Sequence, residues 1–242
     1  MKTNKLNREE YKYFISDNEI IYLRSMLQKV MNVDPNSKNN NQYTVTSMYF
    51  DTPINEDLEE KQSGIYYREK FRLRTYNSEN KIIKFESKKR ANTAIIKDSE
   101  VLSLEEANGL IDGNYEVFKK HNSDFLKESY VKLKSKGYRP SIIVEYDREA
   151  YFLPFGNIRI TFDMNLRTYN SNKNILKIDN SSIPIFLEDQ QILEVKFSSP
   201  LPDYLKKILS RIKGDRSAIS KFVFGQKYID SGPWRDRIFS PF

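Results

Sequence analysis

Polar and apolar residues alternate with a period of two along much of this chain, most densely over residues 70–88. Lys70, Arg72 and Arg74 fall on one face of a strand while Phe71 and Leu73 fall on the other. After turn residues at 76–80 the pattern resumes, with Lys84, Glu86 and Lys88 opposite Ile83 and Phe85. These two runs predict a β-hairpin with one apolar and one densely charged face. Further strands are predicted at residues 8–15, 45–51, 94–97, 141–151, 157–168 and 191–197. Helical spacing predicts helices at residues 17–31, 54–62, 103–111, 123–136, 202–212 and 217–226. Ser16 or Asp17 caps the first helix, and Ser103 with Glu106 forms a capping box. Residues 34–42 read as an Asn-rich polar loop without chemistry of its own, and Pro154, Phe155, Gly156 and Asn157 as a turn.

Composition narrows the function. The chain has 242 residues, 13% aromatic and 30% charged, too aromatic for disorder and without a compositional break. A single domain is expected, its core at about residues 8–225 and a tail at 226–242. The net charge of +7 favours polyanionic partners. There is no cysteine and one histidine, His121, which removes thiol catalysis, disulfides and multi-histidine metal sites from consideration. No run approaches the roughly 20 apolar residues of a membrane span, and the start lacks a signal-peptide core. The default location is cytoplasmic.

The polar strand faces are rich in Arg and Lys, yet most include a carboxylate: Glu10 with Arg8 and Lys12, Glu86 with Lys84 and Lys88, Asp163 with Arg159, Glu194 with Lys196. Half-exposed strands with their charges in water would give the same pattern. The alternative is an α+β fold built on a closed antiparallel barrel, with a polar basic interior and helices packed outside, since closure also removes exposed edges. Such an interior suits a phosphate-rich ligand, which Arg grips bidentately and Lys attracts as a point charge. Inward carboxylates suit a hard divalent cation held between protein and phosphates, Mn²⁺ or Mg²⁺. Phosphoryl transfer by positioning and charge neutralisation needs no protein nucleophile.

In chain order the motifs are Arg8-x-Glu10-x-Lys12-Tyr13, Ser47-Met48-Tyr49-Phe50-Asp51-Thr52, Lys70-x-Arg72-x-Arg74, Glu86-x-Lys88, Tyr146-x-Arg148, Arg159-x-Thr161-x-Asp163, Glu194-Val195-Lys196 and Ser220-Lys221-Phe222. Together they resemble the CYTH-like triphosphate tunnel metalloenzymes, in particular the polyphosphate polymerase domain of the vacuolar transporter chaperone (VTC) family. The resemblance implies transfer of the terminal phosphate of ATP to a growing polyphosphate chain. It implies Arg72, Arg74, Lys88, Arg148, Arg159 and Glu194 as the catalytic group. Substrate phosphates would also meet Arg8, Lys12, Lys70, Lys84, Lys97, Lys196 and Lys221. Glu194 would be the leading metal ligand, followed by Glu86 and Glu10. Arg8 stands where tunnel triphosphatases carry their first glutamate, which argues for polymerisation over hydrolysis. A triphosphate hydrolase and a non-catalytic polyphosphate- or nucleotide-binding module remain as alternatives. Nucleic acid is disfavoured, because aromatics for base stacking fall mostly on the opposite face. Tyr49 and Tyr146 read as packing residues, and Trp234 and the lysines of residues 132–136 as surface or packing features.

Overall fold

The computed structural model describes residues 9–37, 41–77, 82–91, 94–169, 174–178, 182–186 and 189–231. Arg8, the hairpin turn at residues 78–80 and Trp234 lie outside them. The strands are β1 (Glu9–Ile15), β2 (Asn32–Val33), β3 (Gln42–Asp51), β4 (Tyr67–Tyr76), β5 (Ile83–Ala91), β6 (Ala94–Leu102), β7 (Arg139–Leu153), β8 (Ile158–Tyr169), β9 (Ser182–Pro184) and β10 (Gln191–Phe197). The α-helices are α1 (Asp17–Leu27), α2 (Glu56–Gln62), α3 (Leu104–Ile111), α4 (Asp124–Ser135), α5 (Asp203–Leu209) and α6 (Lys221–Ser231).

The alternating segments are strands as expected, and β4 and β5 form the hairpin, with Arg72 opposite Glu86 and Lys70 opposite Lys88. Ser16 caps α1 and closes a box with Glu19, and Ser103 does the same with Glu106 for α3. Several features differ from the sequence pattern, among them α6, which starts at Lys221 and ends at Ser231 rather than spanning 217–226, and an unexpected 3-10 turn at Tyr115–Lys120. β2 and β9 are short additions that pair with β7 and β8. β6 runs five residues further than its apolar start suggests, through Asp98, Ser99 and Glu100, because an edge strand tolerates charge on both faces. Helix α1 ends at Leu27 rather than near residue 31.

The strands form a ten-stranded sheet in the order β1-β10-β8-β7-β3-β4-β5-β6, and the pairings with described registers are antiparallel. The architecture is α+β, but the expected closed barrel is corrected: β1 and β6 end the order and, among the described residues, do not pair with each other. Exposed edges do not compel closure, because each can be dealt with locally. On β1, residues 213–219 lie along the outer side: Arg216 bridges to Tyr13, and the Ser217 N–H donates to the Lys12 carbonyl at 2.9 Å. Gly214 permits this approach, since a Cβ there would stand 2.5 Å from the Phe14 carbonyl oxygen. On β6, Lys97, Asp98 and Glu100 blunt the edge with charge.

Contacts divide the chain into two compact units. The first comprises residues 1–44, 146–166 and 186–219. Its core places Ile158, Ile160 and Phe162 of β8 and Leu193 and Val195 of β10 against Leu23 and Leu27 of α1 and Leu205 and Ile208 of α5. The second comprises residues 45–145, 167–185 and 220–242. There Met48, Phe71, Leu73 and Phe85 pack beneath Ala107 and Leu110 of α3, Phe118, and Leu126 and Leu133 of α4. In both units helices cover the apolar strand face. The alternating polar residues are left to make their own contacts on the other.

Phe85 is the hub of the second core: fully buried, it stacks on Phe71 at 5.7 Å between centroids and meets Phe118 at 4.9 Å and Phe125 at 5.5 Å. Phe85→Ala is expected to lower the unfolding free energy by about 3–5 kcal/mol in urea titrations, because so crowded a site cannot collapse around the vacancy. A loss below about 1 kcal/mol would show that this packing is not formed.

Candidate phosphate-binding clusters

In the first unit, register and alternation gather the polar residues of three strands. Lys12 pairs with Glu194 and Glu10 with Lys196 across β1 and β10, while Glu194 pairs with Thr161 and Lys196 with Arg159 across β10 and β8. Lys12 Nζ lies 3.0 Å from Glu10 and donates to the Ile219 carbonyl at 3.3 Å, and Lys196 is in direct ion-pair contact with Glu194. Arg148, from β7, grips Asp163 with both prongs, Nε to Oδ1 at 2.6 Å and Nη2 to Oδ2 at 2.8 Å. It also lies 3.7 Å from Glu194. Arg159 donates to Asp34 and, at 3.0 Å, to the Tyr43 hydroxyl.

The electrostatics of this cluster are those of cations drawn out of water and held by carboxylates. Burial opposes charge on Lys12, but Glu194 and Glu10 outweigh it and raise its pKa. Burial likewise works against Arg148, and Asp163 leads the groups that keep it firmly charged. Lys196 goes the other way: burial outweighs Glu194 and Glu10 and lowers it to about 8. Thr161 has a buried hydroxyl with no hydrogen-bond partner.

In the second unit Arg72 Nε donates to Glu86 at 2.6 Å, and Arg74 reaches the same carboxylate at 3.7 Å while donating to Ser47 at 3.0 Å. Burial raises the Glu86 pKa, but Arg72 and Arg74 override it and hold the carboxyl below its ordinary value. Tyr49 stands among Arg72, Arg74 and Lys221, which outweigh its burial and lower its phenol. Its ring lies 5.1 Å from that of Phe222. Lys70, Lys88 and Lys97 form one row across β4, β5 and β6, and Lys84 lies over the Tyr76 ring at 5.9 Å. Lys221 is the first residue of α6.

The predicted residues therefore fall into two groups. Lys12, Arg148, Arg159, Lys196, Glu10 and Glu194 belong to the first unit. Lys70, Arg72, Arg74, Lys84, Glu86, Lys88, Lys97 and Lys221 belong to the second. Three contributors were not singled out from the sequence. Asp34 comes from the stretch read as a plain polar loop, Tyr43 lies just past that stretch in β3, and Tyr49 was itself read as a packing residue. Asp34-Pro35-Asn36 announces a turn, with Asn36 donating to Asp34 at 2.9 Å, but nothing local announces Arg159 as a partner.

Among the described residues no group of three or more His, Asp or Glu side chains stands ready to hold a metal. A divalent ion carrying a triphosphate needs only one or two carboxylates, the phosphates supplying other oxygens. Glu10 and Glu194, both beside Lys12, meet that requirement. Glu86 belongs to the second unit and contacts two arginines, much as Glu194 contacts Lys196 and Arg148.

The chain matches the family model described as the VTC domain over residues 7–229. No curated protein matches it. Among solved structures it is similar to a candidate adenylyl cyclase from Hippeastrum described as having a dominant triphosphatase activity, with 14% identity, 92% of this chain and 95% of that chain covered, and a TM-score of 0.53. It is also similar to a candidate adenylate cyclase from Bacillus halodurans, with 13% identity, 88% and 95% covered, and a TM-score of 0.50. At these identities the likeness is one of fold.

Between pH 8 and the ordinary lysine value of 10.5, Lys196 is neutral when folded and protonated when unfolded. The unfolded chain then binds more protons, so stability contributed at this position rises with pH through that window. Lys12, shifted upward, loses its contribution only above 10.5 and does not offset the rise. Urea unfolding of the wild type and Lys196→Met from pH 7.5 to 10 should show the wild type gaining on the variant by on the order of 1–3 kcal/mol. Parallel curves would contradict the burial of Lys196.

Proposed function

Since the chain belongs to the VTC-domain family, we propose that it is an ATP-dependent polyphosphate polymerase. The observation that carries this reading is the set of carboxylate-held arginines and lysines on the polar strand faces, with Arg148 and Asp163 its most buried pair. A phosphate chain offers these cations the same oxygen geometry as the carboxylates beside them. In the reaction, an oxygen of the terminal phosphate of the acceptor bonds to the γ-phosphorus of ATP as the bond from that phosphorus to the β–γ bridging oxygen breaks, and ADP leaves. The attacking oxygen is already anionic, so no protein base or nucleophile is needed, in keeping with a chain without cysteine.

The bidentate guanidinium groups of Arg72, Arg74, Arg148 and Arg159 orient phosphates and stabilise charge spread over the transferring group, while Lys12, Lys88 and Lys196 add point charges. Tyr49 and Ser47 hold the two arginines of the second unit in position. Glu10 and Glu194 would hold Mn²⁺ or Mg²⁺, which would neutralise phosphate oxygens and help align them. Arg8 in place of a first glutamate favours a phosphate acceptor over water. Phe71 and Phe85 are locked in the core and offer no stacking surface for nucleic acid bases. Among the described residues no helix is long and apolar enough to cross a membrane. We place the activity in the cytoplasm, with ATP and inorganic polyphosphate as its partners.

Incubation with ATP and Mn²⁺, resolved by gel and ³¹P NMR, should yield phosphate polymer with matching ADP. Glu194→Gln should lower turnover by at least about 10²-fold while tripolyphosphate still binds. Orthophosphate without polymer would replace the polymerase with a hydrolase. Tight polyphosphate binding without turnover would replace it with a binding module.

A further inference from the structure

Two buried polar atoms of opposite character lie near the charged face of β4 without hydrogen-bond partners: the Lys70 amine and Oδ2 of Asp57. The amine rests over the Phe222 ring, 4.1 Å from its centroid. The other oxygen of Asp57 accepts from the Tyr138 hydroxyl at 2.7 Å, and its backbone N–H donates to Asp51 at 2.9 Å. Asp51 is spent on the backbone N–H groups of Thr52, Asp57 and Leu58, which fix the start of α2. In the row Lys70, Arg72 and Arg74, both arginines therefore have a carboxylate, Glu86, and Lys70 has none in contact.

Groups of both signs face Lys70. Asp57 on α2 and Asp51 on β3 favour its charge, while Lys61 on α2 and Arg68 on its own strand oppose it; Lys88 stands opposite on β5. Burial is the largest influence and lowers the amine to about 7. Burial likewise raises Asp57 to about 7, with Tyr138 pulling it down and Asp51 pushing it up. At slightly alkaline pH the ligand-free protein thus leaves a vacancy for a proton at Lys70. Arg72 lies two residues along the same face, about 7 Å away, within reach of an unscreened charge.

We propose that an anion seated on Arg72 and Arg74 draws a proton from solvent onto the Lys70 amine, which makes this cluster a proton-linked receptor for phosphate chains. The proposal rests on the phosphate-binding reading of those arginines. The bound anion supplies the negative charge that Lys70 lacks in the free protein. The lysine gains one positive charge in its buried place over Phe222 and does not meet phosphate directly, whereas the family resemblance implies that it would. Asp57 keeps the vacancy near neutrality, since its carboxylate is the largest influence favouring the lysine's charge. Affinity then falls as pH rises above about 7, because each binding event requires a proton that becomes scarcer.

The test is calorimetric titration with tripolyphosphate at pH 8 in buffers of different ionisation enthalpy, which counts protons taken up per ligand bound. Tripolyphosphate has its own titration, so the reading is the difference between proteins. The wild type should take up close to one proton more than Lys70→Arg, which is always charged, and more than Lys70→Met, which cannot be. Both variants should still bind through Arg72 and Arg74, and their binding certifies their folding. Binding with equal uptake in all three proteins overturns the proton linkage and leaves the phosphate reading intact. No binding by the wild type overturns that reading and the linkage with it.

Discussion

A guanidinium or ammonium group can be drawn out of water on a strand face only beside an anion, since the desolvation of an unpaired ion costs several kcal/mol. This constraint shapes both clusters. Arg148 sits on Asp163 and near Glu194, Arg159 on Asp34, Arg72 on Glu86, and Lys12 between Glu10 and Glu194. The cations are thereby preorganised on rigid strands, in rows set by cross-strand register. The carboxylates let the fold bury these cations with no bound anion. Proteins that bind anions on mobile surface lysines meet no such demand, because water already solvates the charge.

The same constraint explains what alternation alone could and could not reveal. A period of two assigned Lys70, Arg72 and Arg74 to one face and Phe71 and Leu73 to the other, and the structure keeps that division. The capping box at Ser103 was legible because its partner lies three residues away, and at Ser16 the cap was legible though its box with Glu19 was not named. Asp34 and Tyr43 were not, because their partner Arg159 is remote in sequence and no local pattern encodes a cross-chain ion pair. Tyr49 was read as packing on good grounds, since an aromatic in a strand packs more often than it binds; it does pack on Phe222, and it also stands among Arg72, Arg74 and Lys221.

Closure was inferred from two needs, protecting edges and accommodating inward charge, and both are met in other ways. Residues 213–219 cover β1, charge blunts β6, and carboxylates compensate the cations pair by pair. The family was legible where the closure was not, because the motif order is a property of the sequence. Strand pairing at the ends of a sheet depends on long-range geometry. The sole histidine, His121, contacts Glu106 at 2.8 Å beside the cap of α3, which fits a structural part and leaves the chemistry to arginine, lysine and carboxylate.

The central claim is that the carboxylate-held cations are where phosphate binds. Crystallography of the protein with tripolyphosphate and Mn²⁺ tests it most directly. The account predicts phosphate oxygens within hydrogen-bond distance of the guanidinium groups of Arg72 and Arg74 and of Lys12 or Arg148. Tripolyphosphate found only on outward lysines such as Lys119, Lys127 and Lys134, with those strand cations untouched, would contradict it.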